Sequence, residues 1–66
     1  MCKICIELPN EKSKEMINTL YQVGGTEIRS RRLDVDTTII NSRVPRLAAL
    51  RIWCHNKLEK GTRVYI

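Results

Sequence analysis

No stretch of this sequence approaches the roughly 18 apolar residues that a membrane-crossing helix needs, so no membrane partner is expected. The opening MCKICIELPNE has no charged-then-apolar leader pattern and reaches Glu7 early. There are three cysteines, Cys2, Cys5 and Cys54. An odd count in a small domain does not describe a disulfide framework, and reduced thiols point to the cytoplasm. Also absent are G-x-S-x-G, the phosphate-binding loop and G-x-G-x-x-G, so there is no nucleophile elbow and no nucleotide cradle. With no nucleophile–base pair to begin from, the chain reads as non-enzymatic. Internal repeats and low-complexity stretches are missing as well.

A metal site is not expected either. Cys2-Lys-Ile-Cys5 has the spacing of a zinc half-site, and Cys54-His55 offers two further ligands. In an alternating strand, however, Cys2 and Cys5 point to opposite faces. Adjacent residues 54 and 55 project about 100° apart on a helix. A redox role for the pair would want a helix N-terminus, and a strand follows instead. Cys54 reads as a small core residue and His55 as a helix-flank residue. No cofactor is implied.

What is present is a chain of 66 residues, 42% hydrophobic and 29% charged, which is a globular rather than a disordered composition. It is one domain, residues 1–66. A chain this short buries only about 60% of its unfolded surface, so the core is thin and self-association is plausible. A monomer or a homodimer is expected, with edge strands at both termini as the route.

Ile4, Ile6 and Leu8 alternate with Lys3, Cys5 and Glu7, which is the period of a strand with one buried face. Pro9 ends it, Asn10 is a candidate N-cap, and Glu11 suits a first helical turn. Met16, Ile17, Leu20 and Tyr21 form an apolar stripe on a helix over about 11–23, stopped by Gly24-Gly25. Residues 26–41 favour extended structure. Their apolar parity changes between Ile28 and Leu33, so two strands, about 26–32 and 36–41, with a turn at Asp34–Asp36 are expected. Ser42 caps and Pro45 opens a helix over about 43–60. Gly61 stops that helix, and Thr62 to Ile66 closes the chain as a strand. The order β-α-β-β-α-β describes an α+β domain with two helices on one face of a small sheet.

The formal net charge is +5, and it is unevenly placed. Residues 1–28 hold three lysines against four glutamates, net −1, whereas residues 29–66 hold seven arginines and two lysines against three carboxylates, net +6. Arginine grips phosphate or carboxylate through a planar fork. One cluster is Arg29, Arg31 and Arg32. A second lies on the last helix, where Arg46, Trp53, Lys57 and Lys60 fall within about a 60° sector. Leu47, Leu50, Cys54 and Leu58 occupy the neighbouring sector as the expected core stripe.

A ring among cations suits single-stranded nucleic acid, whose bases stack while its phosphates pair with the cations. It also suits an acidic protein surface with Trp53 as anchor, or simply a tryptophan covering the core edge beneath lysine stems. The expected function is therefore nucleic-acid binding, DNA or RNA, through Arg29, Arg31, Arg32, Arg46, Trp53, Lys57 and Lys60. The alternative is a small inhibitor or adaptor that binds an acidic face of a partner such as a nucleic-acid enzyme. Small size and the plain single domain fit a phage or mobile-element regulator of that kind.

The segment Lys3-Ile-Cys-Ile-Glu-Leu-Pro-Asn-Glu11, followed by a helix ending at Gly24-Gly25, resembles the first half of a ribbon-helix-helix DNA-binding domain. The resemblance covers residues 2–25. It implies a first strand paired across a dimer, with Lys3, Cys5 and Glu7 facing the major groove. The second half departs from that pattern, because 26–41 reads as strand where a second helix would start.

Overall fold

The alternation at the start of the chain forms β1 (Cys2–Pro9) in the computed structural model, which describes residues 1–56 and 61–66. Then follow α1 (Asn10–Gln22), β2 (Thr26–Arg32), β3 (Thr37–Val44), α2 (Arg46–Asn56) and β4 (Arg63–Tyr65). The sheet order is β2-β3-β1-β4, and every pairing is antiparallel. Two β-α-β units, β1-α1-β2 and β3-α2-β4, are thus interleaved, each with a strand of the other inserted between its own two. This is the split β-α-β arrangement, and it meets the α+β expectation.

Both helices lie on one face of the sheet. Ile4, Ile6 and Leu8 of β1 and Ile40 and Val44 of β3 point to that face and are buried with Leu20 of α1 and Ala49 and Ile52 of α2. Each fully buried Ile, Leu or Val side chain among them contributes about 1.5–3 kcal/mol. Cys2, opposite Val44, has the same parity, while Cys5, opposite Asn41, has the other.

The end of α1 follows from its glycines. Gly24 takes φ +82, and its N–H donates to the Tyr21 carbonyl at 3.1 Å. The N–H of Gly25 donates to the Leu20 carbonyl at 2.7 Å. These are the two bonds of a Schellman termination. A Cβ on Gly25 would stand 2.7 Å from the Leu20 carbonyl oxygen, so the tight return into β2 admits no side chain there.

Several expectations are corrected. Asn10 is inside α1 and makes no cap, since Pro9 holds the N-cap position without a side-chain bond. Asn10 clamps the β2–β3 turn instead. Its backbone N–H donates to Asp36 O at 2.9 Å, its Nδ2 donates to Val35 O at 2.7 Å, and its Oδ1 accepts from Thr38 Oγ1. Ser42 caps nothing. It continues β3, which runs three residues past its expected end, and its Oγ donates to Thr26 O at 3.0 Å. The second helix begins after Pro45, whose carbonyl accepts the Ala49 N–H at 2.9 Å. Its extension over 57–60 lies outside the described residues.

Tyr21 is exposed, so the α1 stripe narrows to Met16, Ile17 and Leu20. The expected core stripe of α2 is the wrong face. Leu47, Leu50 and Cys54 are exposed, whereas Ala49, Ile52 and Asn56 are buried; Leu58 lies outside the described residues. Asn56 tolerates burial because its Nδ2 donates to Ile52 O at 2.9 Å. The strand at the start of the chain is also not an edge. β1 is paired on both sides, by β3 and β4, which leaves it no edge for pairing across a dimer in the ribbon-helix-helix manner. The edges are β2 and β4.

Candidate nucleic-acid interface

The face of the sheet away from the helices is built by register. Directly opposite residues share a face, so the pairings arrange the odd-numbered side chains of the sheet into rows. One row runs Arg31 (β2), Ile39 (β3), Glu7 (β1), Arg63 (β4). The next runs Arg29, Asn41, Cys5, Tyr65. A third holds Arg43 and Lys3 beside Thr26. Rows on one face are about 7 Å apart along the strands.

Five cations therefore share one open face: Lys3, Arg29, Arg31, Arg43 and Arg63, all exposed. Two carboxylates accompany them, Glu7 and Glu27. Glu27 sits in the β2 bulge with φ 51, a left-handed conformation that costs a non-glycine residue about 1–2 kcal/mol. From there its Oε2 accepts the Nε–H of Arg43 at 2.8 Å. Among the described residues, Lys3, Arg29, Arg31 and Arg63 have no carboxylate within ion-pair distance. Ile39 is the buried residue of this face at 7% exposure, lying between Arg31 and Glu7.

The sequence-expected residues divide between the two layers. Arg29 and Arg31 belong to the open face. Arg32, opposite Thr38, has the parity of the helix side and is exposed at the β2 edge. Arg46 and Trp53 stand on α2, and Lys57 and Lys60 lie outside the described residues. The described members of the two expected clusters therefore do not share one surface. Trp53 nevertheless reaches the sheet at its other edge. With Arg63, Val64 and Tyr65 it lines a shallow recess of about 260 Å³. Trp53 and Tyr65 are 39% and 49% exposed, so Tyr65 of the cationic face and Trp53 of the helical layer both stand partly open at the β4 edge.

Lys3, Arg43, Arg63 and Tyr65 were not singled out from the sequence. Their signal was parity within each strand, which becomes a shared face only once the strand order and register are known. A larger concavity, about 490 Å³, opens between α1 and α2 over Leu8 and Ile52 on the opposite side of the sheet. Beside it, the buried Thr62 Oγ1 has no hydrogen-bond partner among the described residues. Among the described residues, no three His, Cys, Asp or Glu side chains come together as a metal-ligating group, and no helix is long and apolar enough to cross a membrane.

The β2–β3 turn is held by Asp34, whose Oδ1 accepts the N–H groups of Asp36 and Thr37, both at 2.9 Å. The bond from Asp36, with that from Thr37 behind it, holds the carboxyl below its ordinary range. The turn keeps β2 in register with β3, and so keeps Arg29 and Arg31 in their rows. Comparison of the chain with protein-family models, with curated proteins and with solved structures finds no match.

Proposed function

We propose that this is a non-enzymatic binding protein that engages single-stranded nucleic acid across the open face of its sheet. The observation that carries this reading is the row structure: four cations on one face with no carboxylate partner among the described residues, bordered by two exposed aromatic residues. Arg29, Arg31, Arg63 and Lys3 contact phosphates, and Tyr65 with Trp53 offers stacking surface at the β4 edge. Arg43 contributes less, because Glu27 already occupies its guanidinium.

Width supports a single strand over a duplex. Four strands at about 4.8 Å spacing span about 14 Å between backbone axes before any side chain is added. The major groove of B-form DNA is about 12 Å wide and admits a helix or a two-stranded ribbon. An open four-stranded sheet instead offers splayed bases a platform, as sheet-based RNA readers do.

Four phosphate contacts on a single strand give a slope of about −3 in log K against log salt, at about 0.7 per phosphate. The test is the anisotropy of a labelled oligonucleotide, measured from low to high salt. Arg29→Ala and Arg31→Ala should each flatten the slope by about 0.7, and Tyr65→Ala should weaken binding about tenfold at unchanged slope. A slope near zero, or arginine variants that bind as the parent does, would contradict the reading.

A further inference from the structure

The helical layer carries a feature that the nucleic-acid face does not use. On α2 the small residue Ala49 is buried with Ile52, while the larger Leu47 and Leu50 point outward, 81% and 46% exposed. Leu47, Leu50 and Cys54 recur at i, i+3 and i+7, so they form one continuous stripe. At 100° per residue this stripe lies opposite the side formed by Ala49, Ile52 and Asn56. A helix apolar on two opposite sides normally has both covered, and here the sheet covers one.

Charge identifies the occupant. Arg46 borders the stripe on one side and Arg51 on the other, both exposed, and α2 contains no carboxylate among its described residues. A second copy of the same stripe would bring four guanidiniums together. The other helix of a second copy is no better match: the exposed charges of α1 are Glu11 and Glu15 against Lys12 and Lys14, and Tyr21 is its one large exposed apolar residue. We infer that the outer face of α2 is a docking surface for an amphipathic helix of a protein partner, with an apolar i, i+3, i+7 stripe flanked on both sides by carboxylates. The apolar side chains of that helix pack on Leu47 and Leu50, and its carboxylates meet Arg46 and Arg51 through paired hydrogen bonds.

The probe is a synthetic 18-residue helical peptide with leucines at that spacing and glutamates at the flanking positions, labelled for anisotropy. The control peptide carries lysine at every glutamate position. The acidic peptide should bind at least tenfold more tightly than the basic one. Leu47→Ser with Leu50→Ser should lower its affinity at least tenfold, with an unchanged circular dichroism spectrum because both side chains are exposed. Arg46→Glu with Arg51→Glu should reverse the preference between the two peptides. Equal binding of both peptides, or an affinity that ignores the leucine and arginine variants, would overturn the inference. So would a dimer in sedimentation that Leu47→Ser with Leu50→Ser dissociates, since the occupant would then be a second copy. None of these variants touches Arg29, Arg31 or Tyr65, so failure here leaves the nucleic-acid reading standing, and the converse also holds.

Discussion

At the scale of single residues, the fold depends on positions where one atom decides. Gly25 is one. An added methyl would stand 2.7 Å from the Leu20 carbonyl oxygen, which is helix backbone and cannot swing aside. Gly25→Ala should cost about 1–3 kcal/mol, read as a lower midpoint in chemical denaturation; an unchanged midpoint would mean that the α1–β2 return is looser than described. Asp34 is another. Its carboxyl is held below the ordinary value of 3.8 by the N–H of Asp36 and then that of Thr37. A depressed folded-state value means that the ionised form stabilises the fold above the ordinary range, and that this contribution disappears as pH falls through the lowered value. The thermal midpoint of Asp34→Ala should lie below that of the parent at neutral pH, and the gap should close as pH drops below 3.8. A gap independent of pH would show that the side chain acts through something other than its charge. The turn was legible in the sequence because aspartate in that position bonds its own following backbone. The role of Asn10 was not, because its partners at Val35, Asp36 and Thr38 are far along the chain.

At the scale of elements, strands and α1 were readable and the phase of α2 was not. The first strand alternates cleanly, and α1 ends on a glycine pair, so local pattern and structure agree. In α2 the two sides are nearly equally apolar. Apolar spacing placed Leu47, Leu50 and Cys54 in one sector as the core side, but the helix turns Ala49 and Ile52 toward the sheet. Truncation separates the two phases directly. Ile52→Ala should cost about 2–5 kcal/mol, as removal of a buried aliphatic side chain does, while Leu47→Ala should stay within about 0.5 kcal/mol. The reverse order in urea denaturation would restore the phase that the apolar spacing suggested. The inward side also carries a polar residue: the Nδ2 of Asn56 donates to Ile52 O, which satisfies its buried amide N–H.

At the scale of the whole molecule, function depends on what the strand order brings together. Lys3, Arg29, Arg31 and Arg63 are spread from one end of the chain to the other, and composition revealed only that the second half is basic. The order β2-β3-β1-β4 collects them on one side. It moves Arg46 to the other layer and leaves Trp53 at the sheet edge beside Tyr65. The basic half of the sequence thus divides between a sheet face that carries exposed arginines and an apolar helix stripe bordered by arginines. The most direct test of the sheet as the nucleic-acid surface is a titration of isotope-labelled protein with a short single-stranded oligonucleotide, followed by amide and side-chain NMR shifts. Saturable shifts are expected at Lys3, Arg29, Arg31, Asn41, Arg63 and Tyr65 and at the Trp53 indole, reduced by added salt, with Leu47, Leu50 and Arg51 unmoved. Shifts centred on α2, or none on the open face while the oligonucleotide binds, would contradict it.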